Sequence, residues 1–280
     1  MENAVRGVDM SNRINALVLC GYGLNCDIET AHALELAGAK ARRVHINSVI
    51  DGSVDLADFQ LMVFVGGFSW GDDHGAGVIQ AVRMKKNAGE KLLKFVQDGN
   101  LVLGICNGFQ TLVNLGLLPG FDGDYGGRSV ALTFNDCGNF RDDWVHLQVN
   151  GSAPCVFTKG LAHMELPVRH GEGKFITDEG VLNRLIRENQ VVCRYAGPDG
   201  APADGRFPDN PNGSIHDIAG ICDPTGRIFG LMPHPEAFNH PTNYPDWPRR
   251  KAFDSRSGGE AKPPPTMGIR LFQQAINYFM

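Results

Sequence analysis

The sequence predicts an α/β fold: a mostly parallel central sheet flanked by helices, with extra antiparallel strands and long proline-rich loops toward the C-terminus. Three observations carry this. Short, wholly apolar runs alternate with helix-period segments through the first 118 residues, which contain no proline. Thirteen of the 16 prolines fall between Pro198 and Pro265, so the last third is built of elements threaded between stiff loops. With 280 residues, 42% hydrophobic and 20% charged, the chain can bury a large core. A coiled coil, a helical repeat and a wholly disordered chain are excluded.

Residues 1–13 read as a flexible arm. Residues 16–20 (ALVLC) form a first strand, GYGLN at 21–25 a turn, and 27–37 a helix ending before Gly38, with Glu29 well placed in its first turn. A second strand follows at 41–46 and a third at 61–65, leading into GGFSWGD. Residues 75–98 are helical by pattern, with a break expected near Gly89, and LVLGI at 101–105 is a fourth strand. Continuous apolar strands of this kind lie in sheets covered on both faces, hence parallel ones, and ligands sit beyond their C-terminal ends. Three polar or glycine-rich turns fall there, at 21–25, 66–72 and 106–110.

Beyond Pro119, RSVALTF and WVHLQV alternate as antiparallel or partly exposed strands do. A short helix is expected over 178–189, a strand at 191–196, loop over 197–217, and a hairpin over 218–232 about its PTG turn. Residues 233–266 read as a long Pro/Gly-rich segment, and IRLFQQAINYF closes the chain as an amphipathic helix. No second core is discernible, so residues 14–280 are taken as one domain, with 239–266 as an insertion before the last helix.

The formal charge of −5 and the lack of a basic tract argue against nucleic acid as a partner. No apolar stretch is long enough to span a membrane, and the N-terminus lacks a signal-peptide core, which places the protein in the cytoplasm. Seven scattered cysteines without a CxxC pair fit a reducing compartment better than a disulfide framework. GxGxxG, GxxxxGK[ST] and HExxH are absent, so dinucleotide, P-loop and zincin chemistry gain no support, and no metal site is expected.

The strongest local feature is LVLGICNGFQTLVN. An apolar strand runs into Gly104-Ile105-Cys106-Asn107-Gly108 and a helix begins at once, the pattern of a nucleophile elbow. A helix N-terminus there favours a thiolate at Cys106 and places backbone N–H groups beside a developing oxyanion. An ordinary buried cysteine at a strand end fits the same spacing. The remaining six cysteines read as inert. A cysteine nucleophile needs a base and the base an orienter. His234 and Glu236, in GLMPHPEAF, follow the hairpin on a proline-flanked backbone, although a surface histidine in a loop is the plainer reading. The Gly66-Gly67 pair either supplies a second N–H opposite that of Asn107 or makes a simple tight turn.

Taken together, GICNGFQ at 104–110, GGFSWGDD at 66–73 and MPHPE at 232–236 resemble the three signatures of class I (triad) glutamine amidotransferases. LNCDIETAHALELAGA at 24–39, LGLLPG at 115–120, LPVRHGEGKF at 166–175 and residues 211–236 are similar, within that family, to the glutaminase components of phosphoribosylformylglycinamidine synthases. The resemblance implies a flavodoxin-like fold. It implies Cys106 as nucleophile toward the glutamine amide, His234 as acid and base, and Glu236 as its orienter. Gly67 and Asn107 would supply the oxyanion hole, and Gly66 and Gln110 would contact glutamine. No cofactor is implied for this chain. A large synthetase subunit, possibly with a third small subunit, would take the ammonia and use ATP and Mg²⁺. Two departures stand out: Asn139 and Arg141 lie where the family carries Arg and Glu, and Ala237 where it carries Arg. Residues 239–266 exceed what compact free-standing members carry and look more like the glutaminase region of long single-chain synthases. The alternatives at this point are a stand-alone cysteine hydrolase or isomerase of the same architecture, and a catalytically silent docking subunit.

Overall fold

A computed structural model describes residues 13–256 and 265–280; the expected N-terminal arm and residues 257–264 of the insertion lie outside the described residues, apart from Arg13. Four strands, β1 (Asn15–Cys20), β2 (Lys40–His45), β3 (Leu61–Phe64) and β4 (Leu101–Ile105), form the parallel half of a nine-stranded sheet, in the spatial order β2-β1-β3-β4. The short strand β11 (Ile228–Leu231) continues that half by pairing parallel to β4. The antiparallel half follows outward: β10 (Ile218–Cys222), β9 (Val191–Ala196), β6 (Arg141–Val149) and β7 (His163–His170). A separate antiparallel pair joins β5 (Val130–Phe134) to β8 (Glu172–Thr177).

The apolar runs behave as their composition demands. β3, β4 and β11 are buried at every position, so the sheet must be covered on both faces. The cover comes from helix pairs: α1 (Asp27–Ala37) packs with α7 (Met267–Asn277), and α3 (Val78–Gln97) with α4 (Asn107–Leu115) and the short α2 (Ile46–Ile50). α5 (Glu179–Arg187) follows β8, its first turn capped by the Asp178 carboxylate. Among the described residues no helix is long and apolar enough to cross a membrane.

Four expectations are corrected. α3 runs unbroken through Gly89: that glycine faces open space, and burial of Met84, Ala88, Leu92 and Phe95 outweighs a glycine's cost of about 1 kcal/mol. The strand expected over 41–46 stops at His45, and helix α2 begins at Ile46 and runs on where no element was read. β7 and β8 were not foreseen as strands, because Pro167 interrupts the first; the sheet tolerates it there because β7 is an edge strand. The Pro-rich insertion is not all loop, since residues 247–256 form α6 (Trp247–Arg256), with Pro248 in its opening turn.

Candidate active site

Register brings the predicted residues together. β4 and β11 run parallel, with Ile105 opposite Leu231, and the Cys106 N–H donates to the Leu231 carbonyl at 2.8 Å. Both strands therefore end at one level. Cys106 follows the first directly, and His234 lies three residues beyond the second. The edge strand β7 returns to the same place, where the Pro167 carbonyl accepts the His234 N–H at 2.8 Å.

Cys106 has φ 51° and ψ −108°, a left-handed conformation that a non-glycine residue adopts only where its surroundings impose it. Here the imposing neighbour is Gly108. A Cβ on it would stand 1.9 Å from the Phe64 carbonyl oxygen, so the start of α4 is pressed against β3. The turn puts Cys106 at the N-terminus of α4, whose first N–H groups have no partner within the helix. Its thiol donates to the Arg169 carbonyl at 3.7 Å.

His234 is buried, and its Nδ1 lies 2.6 Å from Oε1 of the fully buried Glu236. Burial opposes charging the imidazole. The Glu236 carboxylate, then Cys106 and Cys26, offset that penalty and raise its pKa well above the ordinary value. With Nδ1–H held by Glu236, the nitrogen left for Cys106 is Nε2, which is buried and has no hydrogen-bond partner in this resting arrangement. His170, nearby, behaves oppositely. Burial, and next the charge of His234, push it down to about 3, so it stays neutral, with Nδ1 bound to Asn135 Oδ1 at 3.1 Å. Of the two histidines, His234 is the one whose surroundings favour the proton-carrying form.

The three turns expected beyond the strand ends form one wall. Gly67, at φ 139°, lies so close to the first turn that a Cβ would stand 2.5 Å from the Gly23 oxygen. Phe68 N–H donates to that oxygen at 2.9 Å, and Trp70 stacks on Tyr22 with centroids 4.4 Å apart. The second and third turns meet through Asn107, whose Oδ1 accepts from Ser69 N–H at 3.4 Å and whose Nδ2 donates to Asp72 at 2.8 Å. Gln110 accepts from Asn107 Nδ2 at 3.3 Å and donates to the Glu172 carbonyl at 2.5 Å. Gly67, Asp72, Cys106, Gln110, Arg169 and Glu172 border one cleft of about 390 Å³. Gly66 sits deeper, against the triad and not along the cleft: a Cβ there would stand 2.7 Å from His234 Cε1 and 3.2 Å from Cys26 Sγ.

Two site features escaped the sequence reading. Cys26, grouped with the inert thiols, lies 4.0 Å from His234 Nδ1, and burial pushes its pKa up to about 11. It is a neutral neighbour of the imidazole, distinct from the thiol at the elbow. Ligand atoms of Cys26, His234 and Glu236 lie within 4.8 Å of one another, a spacing a metal ion could bridge. Nδ1 is already committed to Glu236, however, and a guanidinium stands 3.4 Å away, which favours the hydrogen-bonded arrangement. That guanidinium belongs to Arg169, the second missed residue; only its place beside His170 in the HGEG motif hinted at it. Of the departures, Asn139 borders the cleft, while Arg141 turns to Asp143 at 2.7 Å and lies over the Phe207 ring.

A strand-to-helix cysteine elbow thus stands in front of a buried His–Glu pair on a flavodoxin-like sheet, and the chain belongs to the glutamine amidotransferases: the family described as the CobB/CobQ-like glutamine amidotransferase domain matches residues 13–279. The particular relatives are narrower in kind. The chain is 45% identical over 263 residues to phosphoribosylformylglycinamidine synthase subunit PurQ of Methanococcus maripaludis, covering 94% of this chain and 96% of that one. It is 46% identical over 267 residues to the subunit PurQ of Dehalococcoides mccartyi, covering 95% and 98%. Among solved structures it is similar to a chain of PurLQS from Thermotoga maritima, with a TM-score of 0.69, 29% identity, and coverage of 96% of this chain and 100% of that chain. The near-equal coverage corrects one expectation: PurQ subunits reach this length, which is therefore not a mark of single-chain synthases.

Proposed function

We propose that this chain is the glutaminase subunit of a phosphoribosylformylglycinamidine synthase. The observation that carries the reading is the left-handed Cys106 at the mouth of the cleft, with His234 and Glu236 behind it. The Cys106 thiolate attacks the side-chain amide carbon of glutamine. The oxyanion is held by the N–H groups of Gly67 and Asn107, while Gln110 frames the substrate and Gly66 leaves the room that the imidazole needs. Protonated His234 gives its proton to the leaving nitrogen, the C–N bond breaks, ammonia departs and a γ-glutamyl thioester remains. Neutral His234 then takes a proton from water, hydroxide adds to the thioester carbon, the C–S bond breaks and glutamate leaves. Glu236 holds Nδ1–H throughout and stabilises the imidazolium.

The balance is glutamine plus water to glutamate plus ammonia, and it needs no cofactor in this chain. Likeness to the PurQ subunits and to PurLQS supports delivery of the ammonia to a large synthetase subunit, with a third small subunit in the assembly. The synthetase uses ATP and Mg²⁺ to convert formylglycinamide ribonucleotide to the amidine in purine biosynthesis. Seven free cysteines suit a cytoplasmic setting, with no nucleic acid or membrane as partner. The test is glutamate release with and without the synthetase. Cys106→Ala is expected to abolish release while leaving partner binding intact. Adding the synthetase, ATP and formylglycinamide ribonucleotide is expected to raise the wild-type rate. Activity surviving in Cys106→Ala refutes the mechanism, and a rate indifferent to the partner refutes the assignment of the complex.

A further inference from the structure

Arg169, near the end of β7, touches every member of the triad. Its carbonyl accepts the Cys106 thiol at 3.7 Å. Its guanidinium Nη2 stands 3.4 Å from His234 Nδ1 and 3.7 Å from Glu236 Oε1, yet donates at 2.8 Å to Glu29 Oε1. Glu29 lies in the first turn of α1, where the helix dipole favours a carboxylate, and about a third of its side chain is exposed (32%). Building on the glutaminase reading above, we infer that the Glu29–Arg169 ion pair is a positioning device for that reaction: Glu29 holds the guanidinium away from Glu236, so that Glu236 keeps His234 Nδ1 and the charge balance around the imidazole sets the pH range of activity.

The geometry gives the reason. Glu236 Oε1 already takes Nδ1–H at 2.6 Å, and a guanidinium only 3.7 Å away is the strongest competing donor on hand. Were it drawn onto Glu236, the imidazolium would lose its anionic partner and face an uncompensated cation. The groups facing His234 come from every element around it: Cys26 and Glu29 at the start of α1, Cys106 at the elbow, Arg169 and His170 on β7, and Glu236 on its own turn. Cys26 and His170 are neutral near pH 7, so Glu236, Cys106, Glu29 and Arg169 set the field, with Arg169 as its permanent cation. Arg169 reaches the reacting groups through their charges and is a positioning residue.

The two members of the pair therefore act with opposite sign. In Arg169→Met the cation is gone, the imidazolium is easier to keep, and the basic limb of kcat/KM moves up by about one pH unit. In Glu29→Gln the guanidinium is uncompensated and free to engage Glu236, and the limb moves down by a similar amount. Arg169→Lys, which keeps the charge, stays near the wild-type position. The profiles are measured on the full chain with its synthetase partner. The Cε1–H resonance of His234 is titrated by NMR in the same variants, a readout that needs no turnover. The expected result is Arg169→Met above, Arg169→Lys near, and Glu29→Gln below wild type in the NMR titration, with the limbs following where activity is present. Coincident titrations, or shifts of the same sign in Glu29→Gln and Arg169→Met, overturn the inference. A wild-type chain with partner that releases no glutamate refutes the glutaminase reading instead, and the order of the NMR titrations still decides the role of Arg169.

Discussion

Residue by residue, local environment separates groups that look alike in the sequence. Two buried cysteines lie near His234, but only Cys106 is held in a left-handed turn at the start of a helix, while burial pushes the Cys26 thiol up to about 11. Cys106 was readable because glycines at 104 and 108 declare a crowded turn. Cys26 was not, because its closeness to His234 comes from a pairing across 208 positions. Asp72 shows the cost of building such a wall. Burial, together with the neighbouring Glu172 charge, outweighs its hydrogen bond from Asn107 and raises its pKa to about 6. A carboxyl raised in the folded state contributes stability that is complete below its unfolded value, about 4, and lost as pH climbs through 6. Asp72→Asn keeps an oxygen for Asn107 Nδ2 and tolerates the φ of 55° at that position. It is expected to match wild type below pH 4 and to gain ~1–2 kcal/mol above pH 6, the full shift being discounted for partial solvent exposure. Urea melts across that range check this; a gain that does not grow with pH contradicts it.

Among the elements, the C-terminal helix has a role that its apolar stripe does not reveal. The stripe at Ile269, Leu271, Phe272, Ala275 and Ile276 is buried, as expected for an amphipathic helix. Gly268, in its first turn, faces the loop that carries His234 and Glu236: a Cβ there would stand 2.0 Å from the Pro235 oxygen and 2.6 Å from that of Phe238. Thr266 ties the same loop by donating to the Phe238 carbonyl while capping α7. The helix thus clamps the turn between His234 and Phe238. Gly268→Ala is expected to cost about 1–3 kcal/mol through overpacking and to lower kcat more than it alters glutamine KM. Thermal unfolding and steady-state kinetics measure both, and an unchanged kcat contradicts the clamp. On the other flank, Tyr244 and Arg250 seat the insertion: Arg250 lies 3.5 Å from the Tyr244 ring centroid and 3.1 Å from Glu165, and Tyr244 packs edge-on to Trp144. These partners sit on β6 and β7. A reading based on local periodicity therefore found the prolines and missed α6, whose support is distant in sequence.

For the molecule as a whole, the parallel half of the sheet was legible because β1, β3 and β4 are short apolar runs, with the more polar β2 at the edge. In the antiparallel half β9 and β10 are buried runs and were read as strands, whereas β6 and β7 mix exposed and buried positions and β7 contains a proline. The junction of the two halves and the far edge strand complete the site. β10 and β11 bring back His234 and Glu236 beside Cys106, and the edge strand β7 closes over them with Pro167, Arg169 and His170. The Pro-free front and Pro-rich rear of the chain thus meet in one site. Cys106, and not the neighbouring Cys26, is the nucleophile under the proposed mechanism. The most direct measurement is labelling by a glutamine analogue bearing a chloromethyl ketone, followed by peptide mapping by mass spectrometry. One adduct is expected, on Cys106, suppressed by excess glutamine and formed far more slowly in His234→Ala; an adduct on Cys26, or a rate indifferent to His234, would rule out Cys106 as the nucleophile.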